Sequence, residues 1–271
     1  ADTLLALRER PMAQTERTRL EAVAVGSCAQ AGLLAFFAGD RAVAGRCFAL
    51  ARTTAKDSGD ATLHGQALVA ASVLYSPIPT GGRGGDSRRA VALLTEGVQC
   101  LGHAAPEVRA WAYRWLGMEL AAAGKERGFH QVMEIAGRLA DQAGQQDPRG
   151  FFARYVADLN RNSAGRDNGV GYVLLGRADQ AVAALSPVRM VGSLQRWASR
   201  LSDIAAARVL QGEPEQACAL LGEALDLTLD NGRWMGVERI LGVRARFPQG
   251  KWDDLPCVRE LDERLRHLTG P

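Results

Sequence analysis

Ala207-Arg-Val-Leu-Gln-Gly212-Glu-Pro-Glu-Gln-Ala217-Cys-Ala-Leu-Leu221-Gly-Glu-Ala224 decides the fold. A glycine can end one helix in a conformation other residues avoid. A proline then stands at the start of the next helix, where its missing N–H costs nothing. A small residue, a large apolar one and another small one follow at five, nine and twelve places after the glycine. Gly39, Gly85, Gly124 and Gly176 introduce the same spacing, through Ala44/Phe48/Ala51, Ala90/Leu94/Gly97, Phe129/Met133/Ala136 and Ala181/Leu185/Val188. Small residues let two helices approach closely, and the large one fills the hole in the next layer, as an array of helical hairpins requires.

Seven places before the turn a second glycine recurs in three copies, at Gly32, Gly117 and Gly169. It marks a close contact on the preceding helix. Small residue, turn glycine, then small, large, small resembles the tetratricopeptide repeat (TPR), with its helix A, glycine-containing turn and helix B. The turn glycines stand 46, 39, 52 and 36 residues apart, against about 34 in that family, so the excess belongs to loops or longer helices. The expectation is an all-α, TPR-like α-solenoid of about five helical hairpins with a C-terminal capping helix pair. It forms one superhelical domain over residues 1–271: an N-terminal helix in 1–20, repeats in 21–230 and caps in 231–271.

A hydrophobic share of 47% with only 6% aromatic residues suits helices packed through small contacts. The net charge of +3 is too slight to argue for nucleic acid or a membrane surface. Five cysteines, Cys28, Cys47, Cys100, Cys218 and Cys257, show no close pairing, and Cys47 and Cys218 fall on B helices as buried thiols of a reducing cytoplasm would. No signal peptide and no apolar stretch of membrane length is expected.

Three stretches carry candidate chemistry. Trp111, Arg114, Trp115 and Met118 share one face of a helix, either as core or as the wall of a concave groove. Arg154, Asp158 and Asn162 form a polar stripe on the following helix, as ordinary solvated surface or as hydrogen-bonding partners of an extended peptide or small polar ligand. Together these seven residues are the expected ligand-binding groove. Ser76-Pro-Ile-Pro-Thr-Gly-Gly-Arg-Gly-Gly-Asp86 cannot be helical and is expected to project, as a surface loop or as a lid over the groove. No Lys-Ser or Lys-Thr follows its glycines, so it is no phosphate-binding loop.

Catalysis finds no support. His64, His103, His130 and His267 lie on separate elements without metal-ligand spacing, and no nucleophile elbow or nucleotide fingerprint occurs. Neither metal, cofactor nor catalytic residue is expected.

The run Gly32-Leu-Leu-Ala-Phe-Phe-Ala-Gly-Asp-Arg-Ala-Val-Ala-Gly-Arg-Cys-Phe-Ala-Leu-Ala51 resembles the first repeat in the C-terminal sensor region of actinobacterial XRE-type helix-turn-helix transcriptional regulators. Arg109-Ala-Trp-Ala-Tyr113, Gly176-Arg-Ala-Asp-Gln-Ala181, Ala207 to Leu220 and Pro256-Cys-Val-Arg-Glu-Leu261 resemble its later stations in order, over most of residues 20–268. Leu33 and Phe37 depart from that pattern. The resemblance implies a non-catalytic cytoplasmic sensor whose groove takes a peptide, a small metabolite or a partner protein. The other reading is a stand-alone adaptor holding a partner protein or the peptide substrate of a biosynthetic pathway. The helix-turn-helix module is not within these residues, so this chain alone is expected neither to bind DNA nor to meet a membrane; self-association is left open.

Overall fold

A computed structural model describes residues 13–143, 165–186, 194–230 and 234–269. They are helical throughout, with no strand among them: α1 (Gln14–Phe37), α2 (Arg41–Ser58), α3 (Ala61–Ala71, continued by a 3-10 turn Ser72–Tyr75), α4 (Ser87–Cys100), α5 (Pro106–Ala122), α6 (Glu126–Ala143), α7 (residues 165–174), α8 (Ala178–Leu185), α9 (Leu194–Gln211), α10 (Pro214–Asp230), α11 (Trp234–Arg244) and α12 (Pro256–Thr269). The all-α expectation therefore holds.

The turn glycines do what their spacing asks. Gly39, Gly85, Gly124, Gly176 and Gly212 all have positive φ, between 71° and 90°. At four of them the residue after the glycine donates its N–H to a carbonyl five places back: Asp40 to Ala35, Lys125 to Leu120, Arg177 to Tyr172 and Glu213 to Arg208, at 2.8–3.0 Å. This closure satisfies carbonyls that a helix end otherwise leaves bare. Gly85 instead ends a loop, and helix α4 after it is capped by the Asp86 carboxylate, which accepts from the Arg89 N–H. Asp40 and Asp60 cap α2 and α3 in the same way.

The small and large residues interlock. A Cβ at Gly32 would lie 2.7 Å from the Phe48 ring, and one at Gly117 would lie 2.6 Å from the Met133 sulfur. One at Gly169 would overlap Leu185. At these three turns the large residue nine places after the turn glycine thus fills the space left by the glycine seven places before it. Ala44, Phe48, Ala51, Ala90, Leu94, Phe129, Ala136, Ala181, Leu185, Ala217, Leu221 and Ala224 are all buried. Val188 lies outside the described residues.

The helices gather into two compact units. Unit 1 is drawn from Ala1–Ser76, Asp86–Glu119 and His130–Arg161, and its core includes Val25, Cys28, Ala51, Ala55, Leu63 and Ala67. Unit 2 is drawn from Pro77–Gly85, Leu120–Phe129 and Asn162–Pro271. Leu185, Leu201, Leu221, Leu225, Ile240, Val258 and Leu265 fill it, with Phe247 edge-on to Trp252 at 5.4 Å. In α12 the charged Arg259, Glu260, Glu263 and Arg266 stay exposed while Val258, Leu261 and Leu265 are buried, the division a terminal helix needs.

Two expectations are corrected. The Pro/Gly-rich segment does not project along its whole length. Ile78–Thr80 forms a 3-10 turn whose three residues are buried, and only Gly82–Asp86 is exposed. Proline rules out an α-helix here, but a single turn closed by the Thr80 hydroxyl on the Pro77 carbonyl (2.9 Å) needs none of the donors that proline lacks. Second, α1 is long and apolar enough to cross a membrane by length and composition, with 39% of that stretch buried. Its apolar character serves packing against α2, where Val25, Cys28, Ala29 and Phe36 are buried.

Candidate functional site

Three helices of unit 2 each bring one stripe to a common point. In α7 the stripe is Arg166, Val170, Val173 and Leu174; in α9 it is Asp203 and Ala206; in α11 and the turn after it, Arg239, Gly242, Val243 and Arg246. Spacings of three, four and seven put each set on one helix face. Between them lies a cavity of about 20 Å³, also lined by Ile78, Gly81 and Gly82 of the Pro/Gly-rich segment, room for about one water molecule.

Asp203 is the charge centre. One carboxylate oxygen accepts from Arg166 Nε at 2.9 Å, and the other pairs with Arg239 Nη2. Burial by itself pushes this carboxyl up, but the Arg239 and Arg166 guanidiniums outweigh it and leave the group below the usual carboxylate range. The arginines divide: burial pulls Arg166 down, but Asp203 and Asp167 outweigh it and leave it raised. Burial lowers Arg239 despite Asp203, and burial with Arg239 nearby lowers Arg246. Arg200, buried on α9 and lowered by burial and by Arg166, donates to the Leu185 carbonyl. Four guanidiniums therefore surround Asp203, with Asp167 beside Arg166 as the other acid.

The Pro/Gly-rich segment occupies this place through its backbone. Arg239 Nη1 donates to the Ile78 carbonyl at 2.8 Å, and Arg246 Nε donates to the Gly81 carbonyl at 3.1 Å. Arg83 stands 3.7 Å from Glu238. A Cβ at Gly242 would overlap the Thr80 carbonyl, and one at Gly81 would come 2.5 Å from the Arg239 carbonyl. Helix and segment touch backbone to backbone. Arg239 Nε, fully enclosed, has no hydrogen-bond partner.

In unit 1 the ends of the segment meet: the Asp86 N–H donates to the Tyr75 carbonyl at 2.7 Å, and Arg89 lies over the Tyr75 ring. Glu119 of α5 is wholly buried beside Ser76 and Ser87. Burial drives its carboxyl up to about 7, the two hydroxyls restraining the rise.

The residues expected to line a groove fare differently. Trp111, Arg114 and Met118 are buried, at 6%, 4% and 6% exposure, and Trp115 is half-buried. Only Trp115 keeps substantial open surface, since the Ala110 and Ala112 beside the stripe let α5 pack tightly. Arg154, Asp158 and Asn162 lie outside the described residues. The Asp203 cluster was not singled out from the sequence; the spacing Arg239, Gly242, Arg246 on one face was the signal available. Cys218 is buried and Cys47 half-buried, both as free thiols, and the Cys218 thiol is within hydrogen-bonding reach of Cys257. Among the described residues no three His, Cys, Asp or Glu side chains gather as metal ligands would.

No protein-family model, no curated protein and no solved structure matches the chain.

Proposed function

We propose that this chain is a non-catalytic, TPR-like superhelical domain that binds a peptide or small ligand as the sensor part of an XRE-type transcriptional regulator in the cytoplasm. The observation that carries the reading is the convergence of charged stripes from α7, α9 and α11. These are the helices that precede successive hairpin turns or cap the array, and in the repeat the chain resembles such helices line the concave face. Buried arginines with a carboxylate among them are costly to a core that only has to pack. They are suited to holding backbone carbonyls and carboxylates. The four turns closed alike, and the glycines that receive Phe48, Met133 and Leu185, support the repeat itself. Native mass spectrometry of the protein purified from its source tests the reading. A ligand of fixed mass that is lost on substituting Arg246→Gln is expected. A ligand-free protein that also leaves a library of peptides and metabolites unbound in calorimetry would defeat it.

A further inference from the structure

The nine residues Pro77–Gly85 leave the helical framework and return to the same point, their stems closed by the Asp86 to Tyr75 hydrogen bond. Inside unit 2 they are held much as a short peptide would be. Two carbonyl groups three residues apart, those of Ile78 and Gly81, are read by Arg239 and Arg246, and Gly242 admits the backbone at Thr80. The fit is incomplete. The cavity of about 20 Å³ remains beside Ile78, Gly81 and Gly82, and Arg239 Nε stays without a partner. Charge is answered only in part: Asp203 pairs with Arg239 and Arg166, whereas the segment gives Arg246 only the neutral Gly81 carbonyl oxygen.

We propose that Pro77–Arg83 is a resident occupant of the binding seat made by Asp203, Arg239, Gly242 and Arg246, and that the seat's ligand is a short peptide whose free C-terminal carboxylate meets Arg246 where the Gly81 carbonyl now lies. The proposal rests on the binding-domain reading and names its ligand. A carboxylate against a guanidinium makes a stronger, bidentate-capable bond than a peptide carbonyl does. The ligand therefore gains over the resident segment what it loses by being untethered.

The test uses a variant of the 271-residue chain in which residues 77–85 are replaced by nine glycines and serines; because the stems already meet, the helices keep their connection. The probes are labelled synthetic peptides of residues 76–81, one ending in a free carboxylate and one in an amide. Saturable binding of the acid peptide to the replaced protein is expected, about tenfold weaker for the amide and about tenfold weaker after Arg246→Gln. Binding to the unaltered protein is expected to be weaker by about tenfold or more, since the tethered segment competes at roughly millimolar effective concentration. Gly242→Ala gives an independent reading. Alanine favours the helix but collides with Thr80, so trypsin should cut after Arg83 faster than in the unaltered protein while circular dichroism is unchanged. A replaced protein with unaltered helix content that binds neither peptide overturns the proposal, as does equal binding by the unaltered protein. If that same protein still carries a co-purifying ligand, the binding-domain reading stands and the resident-occupant claim alone falls.

Discussion

Asp203 holds two guanidiniums in a buried place where only Arg166 has a second acid, Asp167, beside it, so its removal leaves the Arg239 charge in low dielectric rather than merely deleting a bond. Asp203→Ala is expected to cost about 3–5 kcal/mol of unfolding free energy, read from urea denaturation, with Asp203→Asn milder because the amide still accepts. Glu119 behaves oppositely. Its folded-state value of about 7 stands above the ordinary 4.5, so the native chain holds this proton more tightly than the unfolded one. The sign follows: the stability this group supplies is complete below about pH 4.5, falls by about 3 kcal/mol as pH rises to 7, and is flat beyond. Glu119→Gln should remove that slope and raise the denaturation midpoint at pH 8. A pH profile between 4.5 and 7.5 for both proteins is the measurement, and parallel profiles would show that Glu119 is not the group responsible.

Among the helices, glycine has two uses that a substitution series separates. At Gly169 the space belongs to Leu185, and Gly169→Ala should cost about 1–2 kcal/mol through overpacking. Gly137, on the exposed side of α6 with nothing near an added Cβ, should gain about 0.5–1 kcal/mol on the same change. Thermal unfolding of the two variants checks both, and a loss at Gly137 would mean that helix propensity is not what limits α6 there. This contrast also explains how far the elements were legible. Turn glycines and the small, large, small spacing are local, and a chain stiff at the scale of one hairpin obeys them, so α1 with α2 and α9 with α10 could be read from residues alone. The segment after Tyr75 could not. Composition says that Ser76–Asp86 is not helical, but a 3-10 turn held by Arg239 from 161 residues away is a tertiary fact. The burial of Trp111, Arg114 and Met118 was not legible for a related reason: periodicity assigns a face, and burial depends on what covers it.

The whole chain carries a net charge of only +3, and among the described residues a cluster of arginines is enclosed around Asp203. Such a charge releases few counterions from DNA. At moderate salt these 271 residues are expected to leave duplex DNA unretarded in an electrophoretic mobility shift, and sequence-selective retardation would contradict the division of labour proposed. The candidate site was the least legible part because its members are 36 and 37 residues apart and meet only once the helices stack. The closed stems of the Pro77–Gly85 excursion bear on descent as well. A segment that begins and ends at one point can be gained, lengthened or lost without rotating any helix against its neighbour. Taking away its residues before Gly85, Pro77–Gly84, would bring the 46-residue interval between Gly39 and Gly85 close to the 36 between Gly176 and Gly212. On the binding-domain proposal, one such insertion would let selection alter ligand preference by editing nine residues while the helices on either side stayed as they were.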